Sequence, residues 1–166
     1  MHVVTDDFHE YATRRAEPLH RAAYLLCGDW HLADDLVQEA LVKTFRHWNR
    51  VRRTDNPDAY VRRILVNEAN RHWRRNRLRP GPAAYPADEP ATADGVGLVN
   101  DRLALLQALQ RLAPRQRATV VLRFFEGLSE RETADALGCS EGTVKSQTSR
   151  ALRTLSTFFE LEEIAR

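Results

Sequence analysis

The chain has 166 residues, 43% of them hydrophobic and 29% charged, with a net charge of +2, a composition that builds one domain or two small ones and excludes a disordered polymer. No apolar run reaches the ~18 residues of a membrane span, and MHVVTDDFHEYATRR lacks the basic and apolar sections of a signal peptide, so a cytoplasmic protein without membrane contact is expected. Cys27 and Cys139, far apart in the chain, form no disulfide framework and fit reduced thiols.

In chain order, Leu19, Ala22, Ala23, Leu26 and Cys27 recur at spacings of three and four, the mark of an amphipathic helix. Gly28-Asp29 breaks it, and the same spacing resumes through Leu32, Leu36, Val37, Ala40, Leu41, Thr44, Phe45 and Trp48. Within this second helix, Asp34, Asp35, Gln38 and Glu39 share one side. Acids complementing the helix dipole explain Asp34 and Asp35 but not Gln38 and Glu39 one turn on. A basic helical partner protein explains all four, and both readings stand on the residues alone.

Asn56-Pro57 opens a third helix, AYVRRILVNEANRHWRRNRLR, with seven arginines between Ala59 and Arg79. From Arg46 to Arg79 there are 11 basic residues against Asp55, Asp58 and Glu68, so 11 − 3 = +8. Such a stripe in a near-neutral chain points to a polyanion met by one surface. Arginines contact phosphates, Asn67 and Asn70 can read exposed base edges, and Trp48 and Trp73 can stack on unpaired bases. Taken alone, either tryptophan reads rather as a core residue, while the helix as a whole, with +8 around it, reads as a nucleic-acid contact.

Residues 80–100 carry Asp88, Glu89 and Asp94 and no cation, with four of the seven prolines and three of the seven glycines between Pro80 and Gly97. They read as a flexible acidic linker between two lobes, residues 1–79 and 101–166. In the second lobe Leu103, Leu106, Leu109 and Leu112 stop at Pro114, and a helix from Arg115 to Phe125 ends at Gly127. Ser129 with Glu132 three residues on predicts a capping box for ERETADAL. Gly138 then supplies a left-handed turn, and Ser140 caps a final helix from Glu141. Val144, Ala151, Leu152 and Leu155, with Thr148 among them, form its apolar seam, while Lys145, Ser146, Ser149, Arg150 and Arg153 face outward. A small Ala134 lies where the helices must cross.

This is the pattern of a DNA-binding helix-turn-helix whose second helix enters the major groove. The alternative is an amphipathic helix in an ordinary bundle. The Ala134–Gly138–Val144 spacing, the capped start and the short outward side chains favour DNA. The fold class is therefore all-α, with two small helical domains. The six histidines have no metal-ligand spacing and no glycine-rich phosphate loop occurs, so no catalysis, metal or cofactor is expected.

Taken together, the acidic-apolar helix, the basic aromatic helix, the linker and the helix-turn-helix resemble the extracytoplasmic-function group of the sigma-70 family of bacterial RNA polymerase sigma factors, from about Phe8 to Thr157. DDLVQEALVKTF is similar to region 2.2, AYVRRILVNEANRHWRR to region 2.3–2.4, and the segment from Leu109 to Leu155 to region 4.

The resemblance implies a transcription initiation factor for core RNA polymerase. Asp35, Leu36, Gln38 and Glu39 would meet the clamp helices of the largest subunit, and region 4 the flap of the second subunit. Asn67, Asn70, Arg71, Trp73 and Arg74 would capture the melted minus-10 element, with the loop from Arg50 to Pro57 pocketing a flipped base. Lys145, Ser146, Ser149 and Arg150 would read the minus-35 element, with Ser140 and Thr143 near phosphates. Ser149 is smaller than the residue often found there in relatives. A separate anti-sigma protein is the expected control. A stand-alone helix-turn-helix regulator is the competing expectation.

Overall fold

The computed structural model describes residues 2–76 and 96–164, and every regular element among them is helical. Helix α1 spans His2–Cys27 and ends at Gly28, whose φ of 71° is the left-handed conformation open to glycine. Asp29 caps α2 (Trp30–Arg46), its carboxylate accepting from the Leu32 amide at 2.7 Å. A single turn, α3 (Trp48–Val51), leads to α4 (Pro57–Asn76), where the Asn56 side chain accepts from the Ala59 amide at 3.1 Å.

Leu19 and Ala23 of α1, Val37 and Ala40 of α2, and Val61 and Leu65 of α4 meet in one core. Trp48 lies inside it at 3% exposure, its ring 5.2 Å from Phe8 and 4.8 Å from Tyr11. Of the two readings open for Trp48, the structure takes the core. The Tyr11 hydroxyl donates to Asp58 at 2.8 Å, and Arg15 pairs with the same carboxylate at 3.1 Å, tying α1 to the start of α4. Burial, then the bond to Asp58, pushes the phenol well above its ordinary pKa.

Residues 77–95, which hold most of the expected linker, lie outside the described residues. Its last part is helical, because α5 (Val96–Arg111) begins ahead of Asn100. Helix α6 (Pro114–Val120) follows with proline in its first turn. The single helix expected from Arg115 to Phe125 is divided at Val121–Phe125 by a π-helical turn, where the Glu126 amide bonds the Val121 carbonyl five residues back at 3.0 Å. Both Phe124 and Phe125 are exposed by it.

The helix-turn-helix forms as expected from α7 (Glu130–Leu137) and α8 (Glu141–Ile164). Both arms of the capping box exist: the Glu132 amide donates to the Ser129 hydroxyl at 3.1 Å, and the Ser129 amide to the Glu132 carboxylate at 2.8 Å. Gly138 has φ 63°, and the Thr143 amide donates to the Ser140 hydroxyl at 3.1 Å. Val144 and Ala151 are fully buried, but Leu152 is 47% exposed and is not part of the seam. Spacings of four, three and four carry one stripe through Val144, Thr148, Ala151 and Leu155. One residue past Ala151 the helix has turned ~100°, away from α6.

The lobes share their interior. Ala118, Val121, Leu122, Leu128 and Ala136 belong to the same buried cluster as the α1–α4 core.

Candidate nucleic-acid and polymerase interfaces

Helix α4 buries Val61, Leu65 and Val66, which leaves the other side of the same turns to face out. Asn67, Arg71, Trp73 and Arg74 are exposed and Asn70 is half-buried. Of Trp48 and Trp73, Trp73 is the one at the surface, at 36% exposure. Arg71 is 3.6 Å from Glu68, which also accepts Lys43 of α2, so the helix is braced from beneath while Arg71, Arg74 and Arg75 stay exposed. Before α4, residues 52–56 form an exposed loop. Asp7, Glu10, Tyr11, Arg14, Trp48 and Arg52 line a cavity of about 480 Å³ beside it.

On α8, Lys145, Ser146, Ser149 and Arg150 are exposed, Ser140 precedes them in solvent, and Thr143 is half-buried. Several of their polar groups are already engaged. Ser140 and Thr143 hydroxyls lie 3.0 Å apart, Ser146 donates to the Thr143 carbonyl at 3.0 Å, and Lys145 is 3.6 Å from Glu130. The weak, exposed Lys145 pair yields readily to a phosphate or base.

On α2, Asp35, Gln38 and Glu39 are exposed on one face, as expected. Leu36 is not: at 5% exposure it packs in the core, because it shares the buried stripe with Ala33, Val37 and Ala40. The apolar part of this surface comes instead from Val42 and Phe45, both nearly half exposed. Sequence reading had counted Phe45 as seam, and only its distance from Val37 and Ala40 along the helix hinted otherwise. Between α2 and α5 runs an apolar groove of about 810 Å³, lined by Leu25, Trp30, Val37, Leu41, Leu105 and Leu106 among others.

One buried arginine gave no signal in the arginine count. Arg117 is buried, and its guanidinium donates to the carbonyls of Leu109 (2.8 Å), Gln110 (3.3 Å) and Leu112 (3.1 Å) and, across the lobes, of Leu26 (2.8 Å). Burial lowers its pKa, yet four carbonyls at two helix ends hold the charge. Cys27 is next to it. Its thiol donates to the Asp29 carbonyl at 3.2 Å, and burial pushes its pKa up to about 11.

An all-helical chain with an acidic-apolar helix, an arginine-rich helix and a capped helix-turn-helix has the equipment of a DNA-binding transcription protein rather than of an enzyme. Comparison with known proteins narrows the class. Residues 11–79 match the family described as sigma-70 region 2, and residues 102–155 match sigma-70, region 4. The chain is 39% identical to the RNA polymerase sigma-E factor of Streptomyces avermitilis, over 95% of this chain and 88% of the relative. It is 34% identical to the ECF RNA polymerase sigma factor SigM of Mycobacterium tuberculosis, over 90% and 75%. The sigma factor RpoE of Bartonella quintana, solved with the anti-sigma factor NepR, superposes with a TM-score of 0.75 at 28% identity, covering 93% of this chain and 97% of that one. The chain belongs to the extracytoplasmic-function group of the sigma-70 family: it is a non-catalytic initiation factor that binds core RNA polymerase and directs it to promoters.

Proposed function

We propose that this sigma factor divides promoter reading between its lobes. α4 and the 52–56 loop take the melted strand of the minus-10 element, and the first half of α8 reads the minus-35 duplex. The observation that carries this is the two-sidedness of α8: Val144 and Ala151 are sealed inward while Lys145, Ser146, Ser149 and Arg150 face out together. A helix with short outward side chains fits a groove ~12 Å wide and ~8.5 Å deep. On α4, Asn67, Asn70, Arg71, Trp73 and Arg74 combine stacking, base-edge and phosphate chemistry suited to an unpaired strand. The cavity of about 480 Å³ beside the 52–56 loop is of a size that holds small ligands, and a flipped base is its occupant in this reading.

Asp35, Gln38, Glu39, Val42 and Phe45 make the surface for the polymerase clamp helices, and the second lobe that for the flap. An anti-sigma factor controls the chain in the cell. The Bartonella sigma factor in complex with one supports this, since the likeness extends over both lobes.

Transcription by core polymerase plus this protein from a library randomised at both elements tests the division. Two conserved blocks among the transcribed templates are expected. One block alone, or no core-dependent transcription, rejects it and favours a stand-alone regulator.

A further inference from the structure

We propose that Lys43, a residue of α2, is a positioning residue for strand reading by α4: it neutralises Glu68, and Arg71 is thereby left to a phosphate of the unpaired strand. This rests on the reading of α4 proposed above.

The need for such a residue comes from the sequence of α4. After Asp58 in its first turn, the helix carries Arg62, Arg63, Arg71, Arg74 and Arg75 and one carboxylate, Glu68. Three residues before Arg71, that carboxylate is placed to capture the arginine by an i,i+3 pair. The capture is incomplete. Arg71 Nη1 stands 3.6 Å from Glu68 Oε1, longer than a hydrogen bond.

What holds it off is a second cation on the same oxygen. Leu65 and Val66, just before Glu68, are buried, so this part of α4 lies against the core and the Glu68 side chain is only 12% exposed. There the Lys43 ammonium donates to Glu68 Oε1 at 2.5 Å. Lys43 also pairs with Glu39, one turn before it on α2, at 3.3 Å. Glu39 is 53% exposed and screened by water, so the sheltered Glu68 is the stronger partner. One carboxylate oxygen thus has a near cation from another helix and a far cation from its own.

Without the near cation, the whole charge of a sheltered carboxylate falls on Arg71. The guanidinium is half exposed on a flexible stem, and a shift of about 0.7 Å would close a charge-assisted bond of ~2.9 Å. Arg71 would then face its own helix instead of the strand. A plain staple between α2 and α4 would use the same pair, but the two roles differ in sign. A staple fails alike whichever partner is lost. A shield fails when the lysine is lost and is not needed when the carboxylate is lost.

The test uses holoenzyme assembled from the full chain at saturating core polymerase. Its ligand is a fluorescent single strand carrying the minus-10 block selected from the randomised library, read by anisotropy across a salt series. Lys43→Met keeps an apolar stem and removes the charge. It is expected to weaken strand binding about two- to fivefold, the scale of an exposed ion pair. It should also flatten the salt dependence by about 0.7, the slope of one phosphate contact on a single strand. Glu68→Gln alone is expected to bind at least as tightly as wild type. Lys43→Met/Glu68→Gln is expected to recover both the affinity and the salt slope. Arg71→Ala is expected to lose at least as much as Lys43→Met, and adding Lys43→Met to it to lose nothing further.

Unchanged affinity and slope in Lys43→Met overturn the proposal, and so does a double exchange that fails to recover them. A loss in Glu68→Gln equal to that in Lys43→Met makes the pair a staple and overturns it as well. If Arg71→Ala binds the strand as wild type does, the reading of α4 fails at that residue and the proposal falls with it. If Arg71→Ala weakens binding while Lys43→Met does not, the reading of α4 stands and only the role of Lys43 is lost.

Discussion

Helices α4 and α8 both present polar faces for nucleic acid, yet they are seated on opposite materials. Behind α4 is a thick layer: Trp48, Tyr11 and Phe8, in tilted and edge-on ring contact, share one core with Val61 and Leu65. Beneath α8 the seam is aliphatic: Val144 and Ala151 of the helix face inward, Ala151 packs in one cluster with Leu109, Leu112 and Val120, and Ala134 of α7 is small enough for the two helices to cross closely. The first arrangement stiffens a platform for an irregular, unpaired strand. The second keeps a helix slim enough for a groove of fixed width. The same requirement, a polar face on a rigid back, is met once with aromatic rings and once with an aliphatic seam.

The largest expected effect lies in the thick layer. Trp48→Ala should cost about 3–5 kcal/mol in urea unfolding, since it empties a fully packed aromatic site. Val144→Ala, at the thin seam, should cost about 2 kcal/mol from two buried methyl groups and a small cavity. Equal losses at the two sites would abolish the contrast. If Trp48→Ala kept its stability and lost only minus-10 binding, Trp48 would be a base-stacking residue after all.

A smaller effect is expected on binding. Arg150→Ala should weaken minus-35 duplex binding by about 1–3 kcal/mol if the guanidinium reads a guanine edge in two bonds. The loss should fall on the cognate duplex and spare scrambled ones, by anisotropy at fixed salt. An equal loss on every sequence would assign Arg150 to phosphate and leave base reading to Lys145, Ser146 and Ser149.

The second lobe's local features were legible because each is set by a few neighbours. Ser129–Glu132, Gly138, Ser140 and the Val144–Ala151 stripe follow from capping and helical period, and all four appear in the structure. Leu36, Leu152 and Trp48 were harder for one shared reason. Periodicity gives a helix's faces, but it does not tell which neighbour covers each face or how far that cover extends. The π-helical turn at Val121–Phe125 has no pattern of its own, since apolar residues run straight through it.

Arg117 was hidden among 25 basic residues, yet it had a signal. It lies three and four residues before Val120 and Val121, so it occupies core register in a helix whose other cations do not. A lone arginine on a buried stripe asks for acceptors, and the lobe contact supplies one of them.

The smallest effect bears on the thin lobe's own stiffness. Its capping box replaces bulk with hydrogen bonds, and Ser129→Ala should cost about 0.5–2 kcal/mol. Glu132 adds a pH signature. The Ser129 amide, then its hydroxyl, and more weakly Arg62 hold the Glu132 carboxyl below the ordinary glutamate range. With the folded value below the unfolded one, the stabilising contribution is full above ~4.3, the ordinary value, and is lost as pH falls through the folded value. Melting midpoints of the wild type and Glu132→Gln should therefore differ at neutral pH and converge in acid. A constant difference across that range would mean that the carboxylate's charge is irrelevant to the cap. Because Arg62 of α4 adds the smallest share of that lowering, Arg62→Gln should raise only slightly the pH at which the advantage fades.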